Sequence, residues 1–452
     1  MNSSIPTALL ESLRGKTEFS EKEFITAHES PQQVTSIRLN PYKPINLFTT
    51  YPSVPWTEFG KYLEQRPSFI SDPLFHAGCY YVQEASSMFL EYVVKQSVNL
   101  DSDIRVLDLC AAPGGKSTLL SSILSNSSLL VSNEIIKSRV PVLSDNLTKW
   151  GPINTVVTNN DPKDFSRLAD FFDLLVIDAP CSGSGMFRKD PAAIDHWSEN
   201  NVELCSQRQQ RILADSLSTL KKDGILIYST CSYSYKENEE IADWICDTFD
   251  LTSIQVPINK EWEIVETVSE KHKCYGYRFY PQKVKGEGFF ISCFRKNEGN
   301  YSSQNNRFKT LKIKGTDAEI INGWINGDNT ALIPVKDGYS IINKNHESDI
   351  QELQSKLYLK KSGVFAGRIA GKELIPDHEL ALSLILSPAV QRIELSNPQA
   401  LSYLRRDELK IESADKGWGL MCTNNFGLGW AKILPNRINN YYPKEMRILK
   451  EF

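Results

Sequence analysis

Two cysteines stand in loops whose composition favours chemistry over packing. Cys181 lies in the stretch Asp-Ala-Pro-Cys-Ser-Gly-Ser-Gly that begins at Asp178, and Cys231 lies in Ser-Thr-Cys-Ser-Tyr. An intracellular cysteine is most often a buried, inert side chain, but serine, glycine and proline are poor neighbours for a core residue. Reactivity requires the thiolate, and hence a cation or helix N-terminus that lowers the thiol pKa. No histidine follows either cysteine at a recognisable spacing, which argues against a cysteine protease or an acyl transferase.

A third chemical stretch is VLDLCAAPGGK, residues 106–116. Its first residues predict a buried strand, its Pro-Gly-Gly predicts a tight turn, and a helix is predicted from Ser117. A strand that runs into a glycine-rich turn and a helix N-terminus lets a ligand approach the backbone closely. Asp108 places a carboxylate beside this turn. The stretch therefore predicts a ligand-binding loop.

Two nucleotide-binding motifs were compared with this loop. The phosphate-binding pattern G-x-x-x-x-G-K-[ST] is nearly matched at Gly115-Lys116-Ser117, but its first glycine is replaced by Cys110, and Pro113 stiffens the turn. The dinucleotide pattern G-x-G-x-x-G is absent. A nucleoside ligand without a polyphosphate fits better. Nucleotide hydrolysis stays as an alternative, which absent ATP binding would exclude.

Acidic residues follow the next two apolar stretches. Glu134 comes after 129–133, and a carboxylate in that place can accept both hydroxyls of a ribose. The other interpretation of Glu134 is a solvent-exposed loop acid. Asp161, after 153–157, can bind an adenine amino group or can equally serve as the N-cap of a helix at 162–170.

These residues need a scaffold, and residues 104–296 supply its pattern. Strands and helices alternate there, which predicts a parallel sheet with helices on both faces. The predicted strands are 104–109, 129–133, 153–157, 173–178, 224–230 and 288–294, and the predicted helices are 117–125, 137–149, 162–170, 202–220 and 236–248. The last strand is predicted to close the sheet antiparallel. Ligands bind at the C-terminal ends of such strands, so both cysteine loops are expected to face one cleft.

Composition limits the class of protein. The 452 residues suggest two or three domains. A net charge of -4 gives no global nucleic-acid signature, so any RNA contact must come from local patches. Nine cysteines without a C-x-x-C pair or zinc spacing indicate reduced thiols and no metal site. With no signal peptide and no run of about 18 apolar residues, we expect a cytoplasmic protein that does not contact a membrane.

The flanks suggest additional domains. We predict an N-terminal RNA-binding or packing extension at 1–100, the α/β domain at 101–297, a polar linker at 298–310 and a C-terminal region at 311–452. Residues 301–452 carry 21 Lys and Arg against 17 Asp and Glu. Basic and aromatic side chains alternate there, and together they can contact RNA, although solvated surface charge is the simpler interpretation for any one of them.

Taken together, the motifs resemble a known family. VLDLCAAPGGK, Glu134 and the two cysteine loops are similar to the RNA 5-methylcytosine methyltransferases of the Sun/nucleolar-protein family, and YVQEASSM (81–88) and GFF (288–290) resemble its flanking motifs. The match covers about 75–296. The stretch GWAKILPNRINNYYPKEMR (429–447) resembles the subgroup F of bacterial ribosomal small-subunit methyltransferases, which carries a PUA-like RNA-binding domain.

The resemblance implies a Rossmann-like methyltransferase sheet, an α/β fold, with an N-terminal α+β extension and a C-terminal PUA-like α+β domain. It implies S-adenosylmethionine as methyl donor, held by the donor loop of Cys110, Ala111, Ala112, Pro113, Gly114, Gly115 and Lys116. It further implies that Glu134 holds the ribose, that Asp161 holds the adenine and that Asp178 lies beside the reacting groups. In the family's roles, Cys231 is the nucleophile and Cys181 promotes release of the product.

The implied partner is RNA, most simply small-subunit rRNA or the 30S subunit. A tRNA substrate is the alternative, since the motifs do not distinguish RNA classes. A non-catalytic RNA-binding factor for ribosome assembly is the alternative of a different class. Such a factor would be expected to lose a thiol or the donor loop, and this sequence keeps both.

Overall fold

The fold is taken from a computed structural model that describes residues 4–299, 313–409, 411 and 414–449. The linker expected at 298–310 lies outside the described residues, apart from 298 and 299. The chain begins with two helices and a three-stranded antiparallel sheet in the order β2-β1-β3. These first elements are α1 (Thr7–Leu13), α2 (Glu21–Glu29), β1 (Thr35–Leu39), β2 (Gly60–Leu63), α3 (Pro73–His76), β3 (Tyr80–Val82) and α4 (Phe89–Ser97).

The centre of the protein is a ten-stranded mixed sheet. Its parallel half has the order β8-β7-β4-β5-β6, as the alternating sequence pattern predicts. The elements that build it are β4 (Arg105–Asp108), α5 (Gly115–Ile123), β5 (Leu129–Asn133), α6 (Val140–Trp150), β6 (Thr155–Thr158), β7 (Phe172–Asp178), α7 (Ala192–His196), α8 (Glu199–Ser216) and β8 (Leu220–Thr230). Because these strands are parallel, their C-terminal ends meet at one edge of the sheet.

Beyond β8 the sheet continues antiparallel. The elements there are α9 (Glu239–Thr248), β9 (Leu251–Ser253), β10 (Val265–Val268), β11 (Tyr275–Phe279) and β12 (Phe289–Lys296). Strand β12 pairs antiparallel with β8, so the predicted closing strand is confirmed. Strands β10 and β11 extend the sheet past it, which the sequence pattern did not predict because both strands are short and mix charged residues with apolar ones.

Two predicted helices differ from the structure. Residues 162–170 form a 3-10 helix, Pro162–Leu168, capped by Asp161, in place of an α-helix. A segment this short between two strands favours the tighter turn. The helix predicted at 236–248 begins at Glu239 instead, because residues 237 and 238 bond to the two cysteine loops.

The C-terminal region consists of two small sheets and one strand that joins the central sheet. Its elements are α10 (Gly315–Asn322), β13 (Thr330–Val335), β14 (Gly338–Asn343), α11 (Glu347–Lys356), β15 (Leu359–Ser362), β16 (Val364–Ala370), β17 (Glu373–Pro376), α12 (His378–Leu382), β18 (Arg392–Glu394), α13 (Asn397–Arg405), β19 (Gly417–Thr423), β20 (Phe426–Leu434) and β21 (Arg437–Asn440). Strand β15 pairs antiparallel with β6, and Ile350 and Leu353 of α11 belong to the core cluster of the central sheet. This edge of the sheet is therefore completed by residues more than 180 positions downstream.

The N-terminal sheet is joined to the donor loop through a buried arginine. Arg38 of β1 donates to Thr118 Oγ1 at 2.6 Å and to Ser122 Oγ at 2.9 Å, both on α5. Breaking such a buried polar pair leaves a desolvated donor, so this contact strongly favours one placement of the extension. No helix of the described residues is long and apolar enough to cross a membrane.

Candidate active site

The two cysteine loops meet at the exits of neighbouring parallel strands. Asp178, at the end of β7, is in register with Ser229 near the end of β8. This pairing brings Cys181 Sγ to 3.0 Å from Cys231 Sγ. Both are free, half-buried thiols at a separation well beyond the ~2.05 Å of a disulfide bond. The expectation that both cysteines face one cleft is confirmed.

The contact between the sulfurs makes the two thiols unequal. The hydrogen bond with Cys231, reinforced by burial, raises the pKa of Cys181 well above its usual range. The raised pKa favours Cys181 as the donor of the hydrogen bond between the two sulfurs.

Asp178 links the cysteine loops to the donor loop. Lys116 Nζ lies 2.8 Å from Asp178 Oδ2, and Ser229 Oγ donates to Asp178 Oδ1 at 2.8 Å. Burial lowers the pKa of Lys116, but the charge and hydrogen bond of Asp178 outweigh it and raise that pKa overall. The charged ammonium group of Lys116 thus lies between the donor loop, which follows β4, and the thiol pair.

The donor loop itself is fixed by helix α6. Gly114 has a φ of +111° and directly precedes α5, and a Cβ added there would lie 3.3 Å from Leu143. Asn146 Nδ2 donates to Pro113 O at 2.8 Å, and Arg139 Nη2 donates to Ala112 O at 2.5 Å. The loop therefore presents backbone in a fixed shape at the edge of the sheet.

Asp108 lies beneath this loop and was noted in the sequence but not assigned a role. It is fully buried, and its Oδ2 accepts from Ser117 Oγ at 2.6 Å while Oδ1 has no partner. Burial raises the pKa of Asp108 to about 7. An unpartnered buried acceptor is costly, so this oxygen marks a place where a ligand donor or cation is favoured.

Glu134 and Asp161 occupy the next two strand exits. Glu134 is 3% exposed, which excludes the solvent-exposed loop acid. Its Oε1 accepts from the backbone N–H of Ile136 at 2.8 Å, and its Oε2 lies 3.4 Å from Arg139 Nη1. Asp161 accepts from the backbone N–H of Lys163 at 3.1 Å and so caps the short helix, as its alternative interpretation predicts. Their contacts with ribose and adenine remain predictions.

The sequence analysis missed Glu237. Its side chain is completely buried and accepts hydrogen bonds from Ser182 and Ser232, the residues that follow the two cysteines. Its signal was present in the sequence, as an acidic residue six positions after Cys231. The surrounding Lys-Glu-Asn-Glu-Glu run was interpreted as the polar start of a helix.

These residues fit S-adenosylmethionine. The buried carboxylate of Glu134 at the exit of β5 suits a ribose. The unpartnered oxygen of Asp108 suits a cationic centre, and the fixed turn at Gly114 allows a ligand to approach the backbone closely. Within the described residues, no three His, Cys, Asp or Glu side chains lie together as metal ligands would.

Profiles of known families match three parts of the chain. Residues 5–85 match the N-terminal domain of 16S rRNA methyltransferase RsmF, 95–295 match 16S rRNA methyltransferase RsmB/F, and 390–448 match the methyltransferase RsmF PUA domain. Ribosomal RNA small subunit methyltransferase F of Psychromonas ingrahamii is 30% identical over 436 residues, which cover 87% of this chain and 85% of that protein.

Two solved structures from Pyrococcus horikoshii share the fold. A methyltransferase homologue is 27% identical with a TM-score of 0.52, covering 65% of this chain and 100% of that one. NSun6 with SFG is 19% identical with a TM-score of 0.55, covering 66% of this chain and 100% of that one. Since both flanks match as well as the central sheet, and a curated relative aligns over most of its length, this chain belongs to the ribosomal RNA small subunit methyltransferase F family of S-adenosylmethionine-dependent 16S rRNA methyltransferases.

Proposed function

We propose that the protein methylates C5 of one cytosine in small-subunit rRNA through a covalent bond between Cys231 and C6 of the base. The observation that carries the proposal is the 3.0 Å contact between Cys231 Sγ and Cys181 Sγ at the strand edge that also holds the donor loop. Two contacting thiols beside a half-buried cation are the parts that such a reaction needs.

Covalent catalysis solves a problem of the substrate. C5 of cytosine is too weak a nucleophile to accept a methyl group directly. Addition of the Cys231 thiolate to C6 breaks the C5=C6 double bond and turns C5 into an enamine carbon, which divides one difficult step into two. S-adenosylmethionine supplies an electrophilic methyl group when it is bound. The target base must leave its stack to reach the cleft, which favours loops and single strands.

The ion pair beside the thiols has a role in the same step. The pyrimidine takes a proton at N3 from solvent as Cys231 adds to C6 and returns it when the C5=C6 bond re-forms, and we assign the hydrogen bond from this N3–H to the carboxylate of Asp178. Lys116 Nζ, 2.8 Å from Asp178 Oδ2, holds that carboxylate in place and keeps its own charge, since its pKa is raised. Charge that develops on the ring is thus neutralised by groups already in place.

Cys181 acts when the product is released. A solvent base takes the proton from C5, the electron pair restores the C5=C6 bond, and the C6–S bond breaks to return Cys231 as a thiolate. The thiol of Cys181 donates a hydrogen bond to that departing sulfur, in the geometry that the resting pair already has. Release therefore depends on Cys181, whereas addition depends on Cys231.

Two single substitutions test the proposal. Cys231→Ala is expected to abolish methyl incorporation into 16S rRNA or 30S subunits, since the variant lacks the proposed nucleophile. Cys181→Ala is expected to accumulate a protein–RNA adduct that survives denaturing gel electrophoresis. Cys246→Ala, which removes a thiol on α9, is the control and keeps full activity. Full activity of Cys231→Ala would refute the assignment of the nucleophile.

The substrate is decided by a separate experiment. Bisulfite sequencing of total RNA from a deletion strain should show the loss of one modified cytosine in 16S rRNA. A loss in a tRNA instead would establish the alternative substrate. Binding of labelled S-adenosylmethionine separates both from a non-catalytic assembly factor, which would not bind it, and binding of ATP would point to nucleotide hydrolysis.

A further inference from the structure

The carboxylate of Glu237 stands between the two cysteine loops. Its Oε1 accepts from the backbone N–H of Ser182 at 2.7 Å and from Gln209 Nε2 at 3.2 Å. Its Oε2 accepts from Ser182 Oγ at 2.6 Å and from Ser232 Oγ at 2.5 Å. All four contacts are donors, so the group is used as an acceptor only, which is the behaviour of an ionised carboxylate.

These donors are the residues next to the thiols. Ser182 follows Cys181 and Ser232 follows Cys231, so one side chain holds two loops that are 50 residues apart in sequence. Backbone bonds also join the loops, from the N–H of Ala179 to the carbonyl of Ser229 and from the N–H of Gly185 to the carbonyl of Cys231. Glu237 bonds to the hydroxyls of both Ser182 and Ser232, which lie 3.2 Å apart, and so joins the two loops beside the sulfurs.

Glu237 is itself held in place. Tyr228 Oη, near the C-terminal end of β8, donates to the carbonyl of Glu237 at 2.6 Å. Its neighbour Asn238 accepts from Thr230 Oγ1 at 2.6 Å and donates to the carbonyl of Ser232 at 2.8 Å. The carboxylate is thus fixed to the strand that carries the Cys231 loop, and it reaches across to the other loop.

We propose that Glu237 is a positioning residue for the methyl transfer: it holds the two thiols in contact, and its negative charge keeps the shared proton on Cys181. This inference rests on the proposed cytosine methylation. A residue with this role fixes which sulfur can become the thiolate. The thiol pair is then set before the RNA arrives, which removes the cost of ordering it during the reaction.

The charges around the pair agree with this direction. The hydrogen bond with Cys231 and burial are the largest causes that raise the pKa of Cys181, and the charge of Glu237 adds to them. The other titratable groups that face the pair are Asp178 with its partner Lys116, Tyr228 and Cys205. Burial raises the pKa of Glu237, and the hydrogen bonds donated by Ser182, Ser232 and Gln209 offset that rise in part.

The decisive variant is Glu237→Gln, which keeps the size of the side chain but removes its charge and turns one acceptor into a donor. We expect kcat to fall by about 100-fold, the loss that a displaced reacting group typically causes. The KM for S-adenosylmethionine should stay within twofold, because the donor loop is untouched. In alkylation by iodoacetamide followed by peptide mass spectrometry, the midpoint of Cys181 should move down by about one pH unit.

The matched control is Glu240→Gln, an exposed acid three residues further along the chain, in the first turn of α9. It is expected to leave kcat and both alkylation profiles unchanged. The inference is overturned if Glu237→Gln behaves like this control. Alkylation requires no RNA, so it separates failure of this inference from failure of the proposed methylation.

A second variant covers the case in which Glu237→Gln does not fold. Ser232→Ala removes one donor and keeps the carboxylate, so the loop of Cys231 is loosened alone. We expect a fall in kcat of about tenfold with an unchanged affinity for S-adenosylmethionine. A kcat equal to that of the parent protein would overturn the positioning role.

Discussion

The methyltransferase sheet carries two pairs of contacting thiols, and only one lies in a site. Cys181 and Cys231 have their sulfurs 3.0 Å apart, and Cys246 and Cys274 have theirs 3.4 Å apart. In both pairs one thiol gains a raised pKa from the other: Cys181 in the first and Cys246 in the second. Contact between two sulfurs is therefore not sufficient to define a reactive pair.

The surroundings of the pairs differ. In the second pair Cys246 Sγ lies 3.5 Å from the carbonyl of Leu251 and Cys274 Sγ lies 3.5 Å from that of Ala242, and the hydrogen bond with Cys246 lowers the pKa of Cys274. Cys246 lies on α9, and Cys274 directly precedes β11. The far end of β11 pairs with β12 at Phe279, and β12 pairs with the end of β8 next to the Cys231 loop. The second thiol pair is therefore at the opposite end of β11 from that loop. The first pair lies at strand exits beside the half-buried Lys116, whereas the cation near the second pair, Lys271, is exposed.

The largest expected contrast is in the cations beside each pair. Lys116→Met removes the partner of Asp178 at the first pair and should lower kcat/KM by about 10²–10³-fold, as the loss of one preorganised donor does. Lys271→Met, which removes the exposed partner of Asp247 near the second pair, should change it less than twofold. Methyl incorporation into 30S subunits measures the activity of both variants. Equal losses for Lys116→Met and Lys271→Met would show that the cation does not distinguish the two thiol pairs.

An intermediate contrast is expected in thiol reactivity. With iodoacetamide at pH 8, Cys231 should be alkylated about tenfold faster than Cys274. Cys231 is half-buried in a loop, whereas Cys274 is buried in the core out of reach of the reagent, even though the hydrogen bond with Cys246 lowers the pKa of Cys274. Time-resolved peptide mass spectrometry gives both rates in one sample. If Cys274 reacts as fast as Cys231, the two pairs do not differ in the way proposed.

The smallest contrast is in the free energy of unfolding, and here the second pair should be the more sensitive one. Cys274→Ala should lower the free energy of unfolding by about 1–2 kcal/mol, because its sulfur is packed in the core of the sheet. Cys231→Ala should cost less than about 0.5 kcal/mol, since its sulfur lies at a partly open edge. Urea unfolding followed by tryptophan fluorescence measures both. A larger cost at Cys231 would assign it a packing role.

Much of the central sheet could be predicted because its signals are local. Apolar runs of four to seven residues predicted β4 to β7, and the loop composition around Cys181 and Cys231 placed both at strand exits. The dual interpretation of Asp161 was resolved only in part, because its capping bond is visible whereas its contact with adenine remains a prediction. The proposed domain boundaries also remain predictions.

The misses have one physical cause, which is that they depend on partners far away in sequence. Strand β15 has the sequence of an ordinary polar segment, and it forms a strand because it pairs with β6, just over 200 residues upstream. From the sequence, Glu237 is expected to be a solvated residue at the start of a helix. In the structure it is buried and accepts hydrogen bonds from two serines, 55 and 5 residues away. Burial and hydrogen-bond partners of this kind have no periodic signature.

The sequence by itself determined which chemistry the chain can carry: a glycine-rich loop after β4, acids at the next strand exits and cysteines in two polar loops, all set by short-range preferences of strand, turn and helix. Only the tertiary structure decided how these parts act together. The contact of Cys181 with Cys231, the ion pair of Lys116 with Asp178 and the buried carboxylate of Glu237 arise when distant strands pair. Long-range packing creates the low-dielectric, water-poor edge in which such contacts gain their strength.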